Sequence, residues 1–207
     1  MTSQITVKAD GLKKVFDRRV IFEGVSFSLA PTQTLLISGR NGSGKSTLVK
    51  IIAGVLSPTA GSVSVSAPGV KGDFQHQSLI GMVSPYLQMY DEFSAEENLL
   101  YASAIRGVPY NQVLAHELLR HVALFARKDD PVRTYSSGMK QRIKYAFALL
   151  HQPPLLLLDE PMANLDAEGI AIVREIIRGH CHAGAVIVAT NDLTDVDAYD
   201  GRVTLDA

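Results

Sequence analysis

The chain has 207 residues, 46% apolar and 20% charged, which is enough for one sizeable core with room for an inserted lobe and is ordinary for a soluble domain. A formal net charge of −1, with no basic run interleaved with aromatics, argues against a nucleic-acid footprint. The one cysteine, Cys181, excludes a disulfide framework and fits a reducing compartment, and no run of about 18 apolar residues offers a membrane span.

The N-terminal Met1-Thr2-Ser3-Gln4-Ile5 lacks the zones of a signal peptide. Residues 2–33 and 61–75 carry period-two patterns such as Ile5-Thr6-Val7 and Ser62-Val63-Ser64-Val65-Ser66, which predict an antiparallel layer beside the main core. Residues 34–38 form a short apolar run that reads as a buried strand, and residues 45–53 place apolar side chains at helical spacing. Between them lies Gly39-Arg40-Asn41-Gly42-Ser43-Gly44-Lys45-Ser46-Thr47, a G-x-x-x-x-G-K-S phosphate loop. Gly39, Gly42 and Gly44 let successive amide N–H groups turn inward around phosphate oxygens, and the helix aims its positive end at them. Gly39, Asn41, Gly42, Ser43, Gly44, Lys45, Ser46 and Thr47 are therefore expected to bind nucleotide. Lys45 is expected to reach the β and γ phosphates and the Ser46 hydroxyl to ligate Mg²⁺.

Farther on, residues 94–107 and 110–126 read as helices, and 137–150 as a third that follows Tyr135-Ser136-Ser137-Gly138-Met139. Taken alone, Ser-Ser-Gly before a helix is an N-cap. Residues 155–158 are a four-leucine run suited to a strand buried on both faces. Asp159 and Glu160 close it, at the strand end where a parallel sheet gathers its ligands. Asp159 is expected to hold the Mg²⁺ shell and Glu160 to orient or polarise the attacking water. A helix over 167–180 and strands over 185–190 and 202–205 complete an α/β fold. His180-Cys181-His182 is not expected to bind metal, since three adjacent side chains rarely converge on one ion.

The segment Ser136-Ser137-Gly138-Met139 resembles the signature loop of ATP-binding cassette (ABC) proteins, usually Leu-Ser-Gly-Gly-Gln. It departs from that form at Tyr135, Ser137 and Met139 and retains Ser136 and Gly138. The resemblance covers essentially the whole chain and implies a P-loop fold of ABC type: a mixed or parallel core sheet flanked by helices, an antiparallel β layer and an inserted helical lobe. It divides the single cassette, 1–207, into a RecA-like and antiparallel β core of about 1–85 and 151–207 and a helical lobe of about 86–150. It also implies that Phe16 stacks on adenine, that Ser136, Ser137 and Gly138 meet the γ phosphate held by a second cassette, and that Asn164-Leu165-Asp166 communicates across the pair. Pro58-Thr59-Ala60-Gly61-Ser62-Val63 matches the turn and strand after the phosphate-loop helix. Asp166 can equally cap the helix that follows it.

Two positions depart from the family pattern. Pro85 stands where the family places a glutamine that touches Mg²⁺ and the attacking water, leaving Gln88, three residues on, as the metal-site candidate. Asn191 stands where the family presents a histidine to the γ phosphate. Asparagine can hydrogen-bond a phosphate oxygen through its amide N–H but cannot take up a proton or a positive charge at physiological pH, so turnover is expected to be weak and to lean on Glu160. None of His76, His116, His121, His151, His180 and His182 obviously replaces it.

What the resemblance implies in function is an ATPase that uses ATP and Mg²⁺, sits at the cytoplasmic inner face of the membrane, and powers a separate transmembrane subunit. A second cassette, in a homodimer, would pair with it when ATP binds, and no nucleic acid is involved. In size and layout the chain is also similar to the haem-exporter ATPases of cytochrome c maturation. The other readings are a general exporter subunit, a cassette protein of the translation or DNA-repair kind, and a weakly or non-hydrolytic cassette that binds ATP to hold a partner.

Overall fold

The computed structural model describes residues 4–70 and 77–205. Thr6–Phe16 (β1) and Arg19–Leu29 (β2) form a hairpin, and Ala60–Ser66 (β4) pairs with the other edge of β1, giving an antiparallel sheet in the order β2-β1-β4. The hairpin reverses at Asp17 and Arg18, both with positive φ (44° and 69°), the backbone of a tight primed turn that follows strand twist.

A second sheet is all parallel, in the order β5-β6-β7-β3-β8, from Thr34–Gly39 (β3), Ile80–Val83 (β5), Leu155–Asp159 (β6), Ala185–Thr190 (β7) and Gly201–Leu205 (β8). Successive side chains of a strand point to opposite faces, so the four leucines divide by parity. Leu155 and Leu157 join Leu35, Ile37 and Ile187 in a core covered by Lys45–Ile52 (α1) and the antiparallel sheet. Leu156 and Leu158 join Leu36, Val186 and Val188 on the other face. There the cover is Ser137–Leu149 (α4) and Ala167–Cys181 (α5), and the same core runs on without a break into Ala95–Ile105 (α2) and Gln112–His121 (α3). With both faces buried, a continuous apolar run is what such a strand requires.

Three sequence expectations are corrected. The period-two pattern over 61–75 ends as a strand at Ser66 and gives way to a turn at Pro68 and Gly69, while 71–75, like His76, lie outside the described residues. The helix expected over 110–126 is only α3. Ala123 takes a left-handed φ of 54°, and the chain reverses to bury Leu124 before a 3-10 turn at Phe125–Arg127. Strand β5 has no counterpart in the sequence reading. Gly81 interrupts its apolar pattern, and a Cβ there would run into the Ala148 carbonyl, so the glycine is what lets α4 lie against the sheet.

Candidate functional site

The carboxyl ends of β3, β5, β6 and β7 open on one side of the parallel sheet, where such folds place their ligands. At the end of β3 the phosphate loop folds back on β2. A Cβ on Gly44, whose φ is 99°, would lie 2.5 Å from the Ile21 side chain, and a Cβ on Gly39 would strike the Leu205 carbonyl and the Ser43 hydroxyl. Gly44 is the N-cap of α1, whose positive end faces the loop. Ser43 is buried and its Oγ makes no hydrogen bond among the described residues.

Lys45, 5% exposed, donates from Nζ to the carbonyls of Gly39 (2.9 Å) and Arg40 (3.3 Å) and lies 3.5 Å from Glu160 Oε1. The Ser46 hydroxyl donates to Asp159 Oδ1 at 3.0 Å across 113 residues of sequence. Asp159 is fully buried, and burial raises its pKa above the ordinary carboxylate range. The Ser46 hydroxyl, Lys50, Lys45 and Ser84 pull in the opposite direction. The Ser84 hydroxyl is near enough to favour the charged form, while Asp159 Oδ2 is buried with no hydrogen-bond partner among the described residues. A carboxylate oxygen left bare beside a second oxygen ligand suits a hard divalent cation, so this donor set fits Mg²⁺.

Glu160 follows at a left-handed φ of 48°, a costly conformation held because its N–H donates to Ala189 O at 2.8 Å. Burial raises its pKa, and Lys45 draws it back down. Beyond β7 the Asn191 amide donates to Asn41 Oδ1 of the phosphate loop at 3.3 Å, so the residue in the histidine position does face that loop. Behind it, Thr190 Oγ1 donates to Asp195 Oδ2 at 2.5 Å. Asp195 has its own pKa raised by burial, and its charge raises the proton affinity of Glu160.

The remaining residues are more scattered. Phe16 ends β1 with 42% exposure, and the Lys14 ammonium lies 4.7 Å from its ring centroid. Thr47 is half-buried in the first turn of α1. Ser136 is the exposed N-cap of α4, its Oγ accepting from Met139 N at 3.2 Å, with Ser137 exposed beside it. Gly138 lies against the Asn164 carbonyl. Asp166 caps α5, accepting from Gly169 N at 2.9 Å. Gln88 is not gathered with Ser46 and Asp159. It is exposed and lines a separate hollow with Leu87, Asp91, Lys140 and Lys144, and the polar group beside Asp159 from this strand is Ser84. Sequence reasoning passed over Ser84, Thr190 and Asp195. An expectation of β5 as a buried strand would have pointed to the serine at its carboxyl end, whereas nothing local marks Asp195.

Residues 22–163 match the family model described as ABC transporter. The chain belongs to the ABC transporter family. This cassette is 32% identical to a lantibiotic transport ATP-binding protein of Streptococcus pyogenes, over 97% of its own length and 90% of the relative's. It is 33% identical to a cytochrome c biogenesis ATP-binding export protein of Pseudomonas putida, covering 91% and 90%. It is 30% identical to a linearmycin resistance ATP-binding protein of Bacillus subtilis, where 89% of this chain spans only 60% of the relative. Among solved structures, one described as the ATP-binding subunit of an ABC transporter superposes with a TM-score of 0.83 at 27% identity, over 96% of this chain and 85% of that one. The cassette is thus an ATP-binding protein with ATPase activity coupled to transport.

Proposed function

We propose that this cassette, held at the cytoplasmic face of the membrane, hydrolyses ATP at the site formed by Lys45, Ser46, Asp159 and Glu160, and that it does so to drive an exporter whose membrane path is a separate transmembrane subunit. The observation that carries the reading is the convergence of those four side chains, two from α1 and two from the end of β6, through the contacts Ser46–Asp159 and Lys45–Glu160. Ser46 and Asp159 would hold Mg²⁺, which when bound offsets phosphate charge. Lys45 neutralises the β and γ phosphates, and the phosphate-loop amides from Gly39 to Thr47 bind around them. Glu160 accepts a hydrogen bond from the attacking water and polarises it, its proton affinity already raised by burial. Asn191, tied to Asn41, hydrogen-bonds the γ phosphate in place of a group that could carry charge. Phe16 stacks on the base.

Residues 86–150 act as the helical lobe that offers Ser136, Ser137 and Gly138 to the triphosphate of a second copy, with Asp166 near the same seam. The cargo reading stops at an exported substrate. Relatives named for lantibiotic transport, linearmycin resistance and cytochrome c biogenesis match to similar degrees, and haem export is one of these options.

Phosphate release and light scattering on Glu160→Gln test the reading. The variant is expected to lose hydrolysis by roughly a hundredfold or more while still binding ATP, and to shift from monomer to dimer when ATP and Mg²⁺ are added. Parent-like turnover would remove Glu160 from its role, and one unchanged mass under both conditions would remove the second copy.

A further inference from the structure

Helix α4 does more than present Ser136. Tyr145, fully buried, donates its hydroxyl to the carbonyl of Pro161 at 2.7 Å, and Gln141 Nε2, one turn earlier, donates to the same oxygen at 3.4 Å. Pro161 directly follows Glu160. Three residues later the Asn164 carbonyl lies where a Cβ on Gly138 would touch it at 3.2 Å. The segment 161–164 is therefore strapped to α4 at both ends, by hydrogen bonds at Pro161 and by close backbone approach at Asn164. On the same face Lys144, almost wholly buried, donates to the carbonyls of Ser84 (3.1 Å) and Pro85 (3.4 Å), the turn that follows β5 beside Asp159.

We propose that Tyr145, assisted by Gln141, is a positioning residue for ATP hydrolysis. Through Pro161 it fixes the turn that aims Glu160 and makes that turn one rigid piece with the helix that begins at Ser136. The inference rests on the reading of Glu160 as the residue that polarises the attacking water. Glu160 sits in a left-handed conformation that its own residue type disfavours, so the turn needs restraint from outside. One restraint is Ala189 O on the Glu160 N–H; another is α4 on Pro161. Burial pushes the Tyr145 phenol far above its ordinary range, helped by the charge of Asp195, so the hydroxyl keeps its proton and donates at every physiological pH. Tyr145 lies nine residues beyond Ser136, about 13 Å along the helix axis at roughly 1.5 Å per residue. A push on the exposed N-terminus of α4 by nucleotide or a second copy would thus reach the Glu160 turn through a stiff rod.

Tyr145→Phe keeps the buried ring and removes only the donor. With the full chain at saturating ATP and Mg²⁺, phosphate release is expected to fall roughly ten- to hundredfold, as small misplacements of a catalytic group do. The KM for ATP and the binding of a fluorescent ATP analogue are expected to stay at parent values. A merely structural role would lower binding and turnover together, and that result, or parent-like turnover, overturns the inference. Should Tyr145→Phe not fold, Gln141→Leu reads the same carbonyl, with the same split expected and the same failures decisive. Glu160→Gln run alongside separates the two levels. If it hydrolyses ATP like the parent, the reading of Glu160 fails; if it is inactive while Tyr145→Phe is unimpaired, only the positioning role fails.

Discussion

Asp159 shows how a site is built at a cost to stability. It is a fully buried carboxylate with one oxygen bonded to Ser46 and the other without a partner among the described residues, and burial outweighs the pull of the Ser46 hydrogen bond, Lys50 and Lys45 on its proton affinity. A carboxyl held above its ordinary range is less stable as a charge in the folded chain than in the unfolded one. Asp159→Asn, which keeps the shape and drops the charge, is therefore expected to raise the thermal midpoint in the presence of a chelator, by an amount on the order of 1 kcal/mol in stability. The same variant is expected to lose the stabilisation that Mg²⁺-ATP confers on the parent. Differential scanning fluorimetry with and without Mg²⁺-ATP reads both; a lower midpoint in chelator would mean that the charge is better compensated than its surroundings indicate.

Among the elements, α2 is set by a local signal and then fastened by a distant one. Ser94 and Glu97 form a reciprocal capping box, Glu97 N to Ser94 Oγ at 3.1 Å and Ser94 N to Glu97 Oε2 at 2.7 Å, a pattern written in the sequence as Ser-x-x-Glu. Its neighbour Glu96 reaches away from the helix to take hydrogen bonds from Gln112 (2.9 Å) and His116 (3.0 Å) of α3, with the Lys128 ammonium 3.3 Å away. The Gln112 bond is the largest influence, and together these groups outweigh burial and hold the Glu96 carboxyl down at about 2, from an ordinary 4.5. A lowered folded-state pKa contributes stability above the unfolded value and loses it as pH falls. The contribution is thus complete above about pH 4.5 and disappears towards pH 2. Urea unfolding of Glu96→Gln against the parent should show the parent more stable at pH 6 by roughly 1–3 kcal/mol, with the gap narrowing across that window. A gap that stayed constant from pH 6 to pH 2 would show that the charge is not what fastens α2 to α3.

At the scale of the whole molecule, β5, α2 and the end of α4 leave a groove of about 590 Å³ on the surface, with Val55, Ile105 and Val108 among its exposed apolar rim residues. Val55 is 68% and Ile105 66% exposed, and exposed apolar side chains around one groove are a common feature of interaction sites. With the membrane subunit as the proposed partner, Ile105→Glu is expected to leave the basal ATPase of the isolated chain unchanged. It should cut co-sedimentation of the tagged chain with its host membranes by roughly tenfold, since a carboxylate would be desolvated at the contact. Equal sedimentation of variant and parent would place the docking surface elsewhere.

The sequence by itself determined what is local or periodic. The phosphate loop is contiguous and its chemistry follows from glycine, lysine and serine in fixed order; the four leucines before Asp159 announce a strand buried on both faces; Asp166 lies where a helix begins and does cap it. Only the tertiary structure decided what depends on distance across the chain. It brought Ser46 to Asp159 and Asn191 to Asn41, put Ser84 rather than Gln88 beside the buried carboxylate, and set Tyr145 and Lys144 behind the turns that follow β6 and β5. The division has a physical cause. Backbone preference and side-chain period act between near neighbours, whereas a hydrogen bond spanning 113 or 150 residues exists only after the parallel sheet has fixed which strand ends lie side by side.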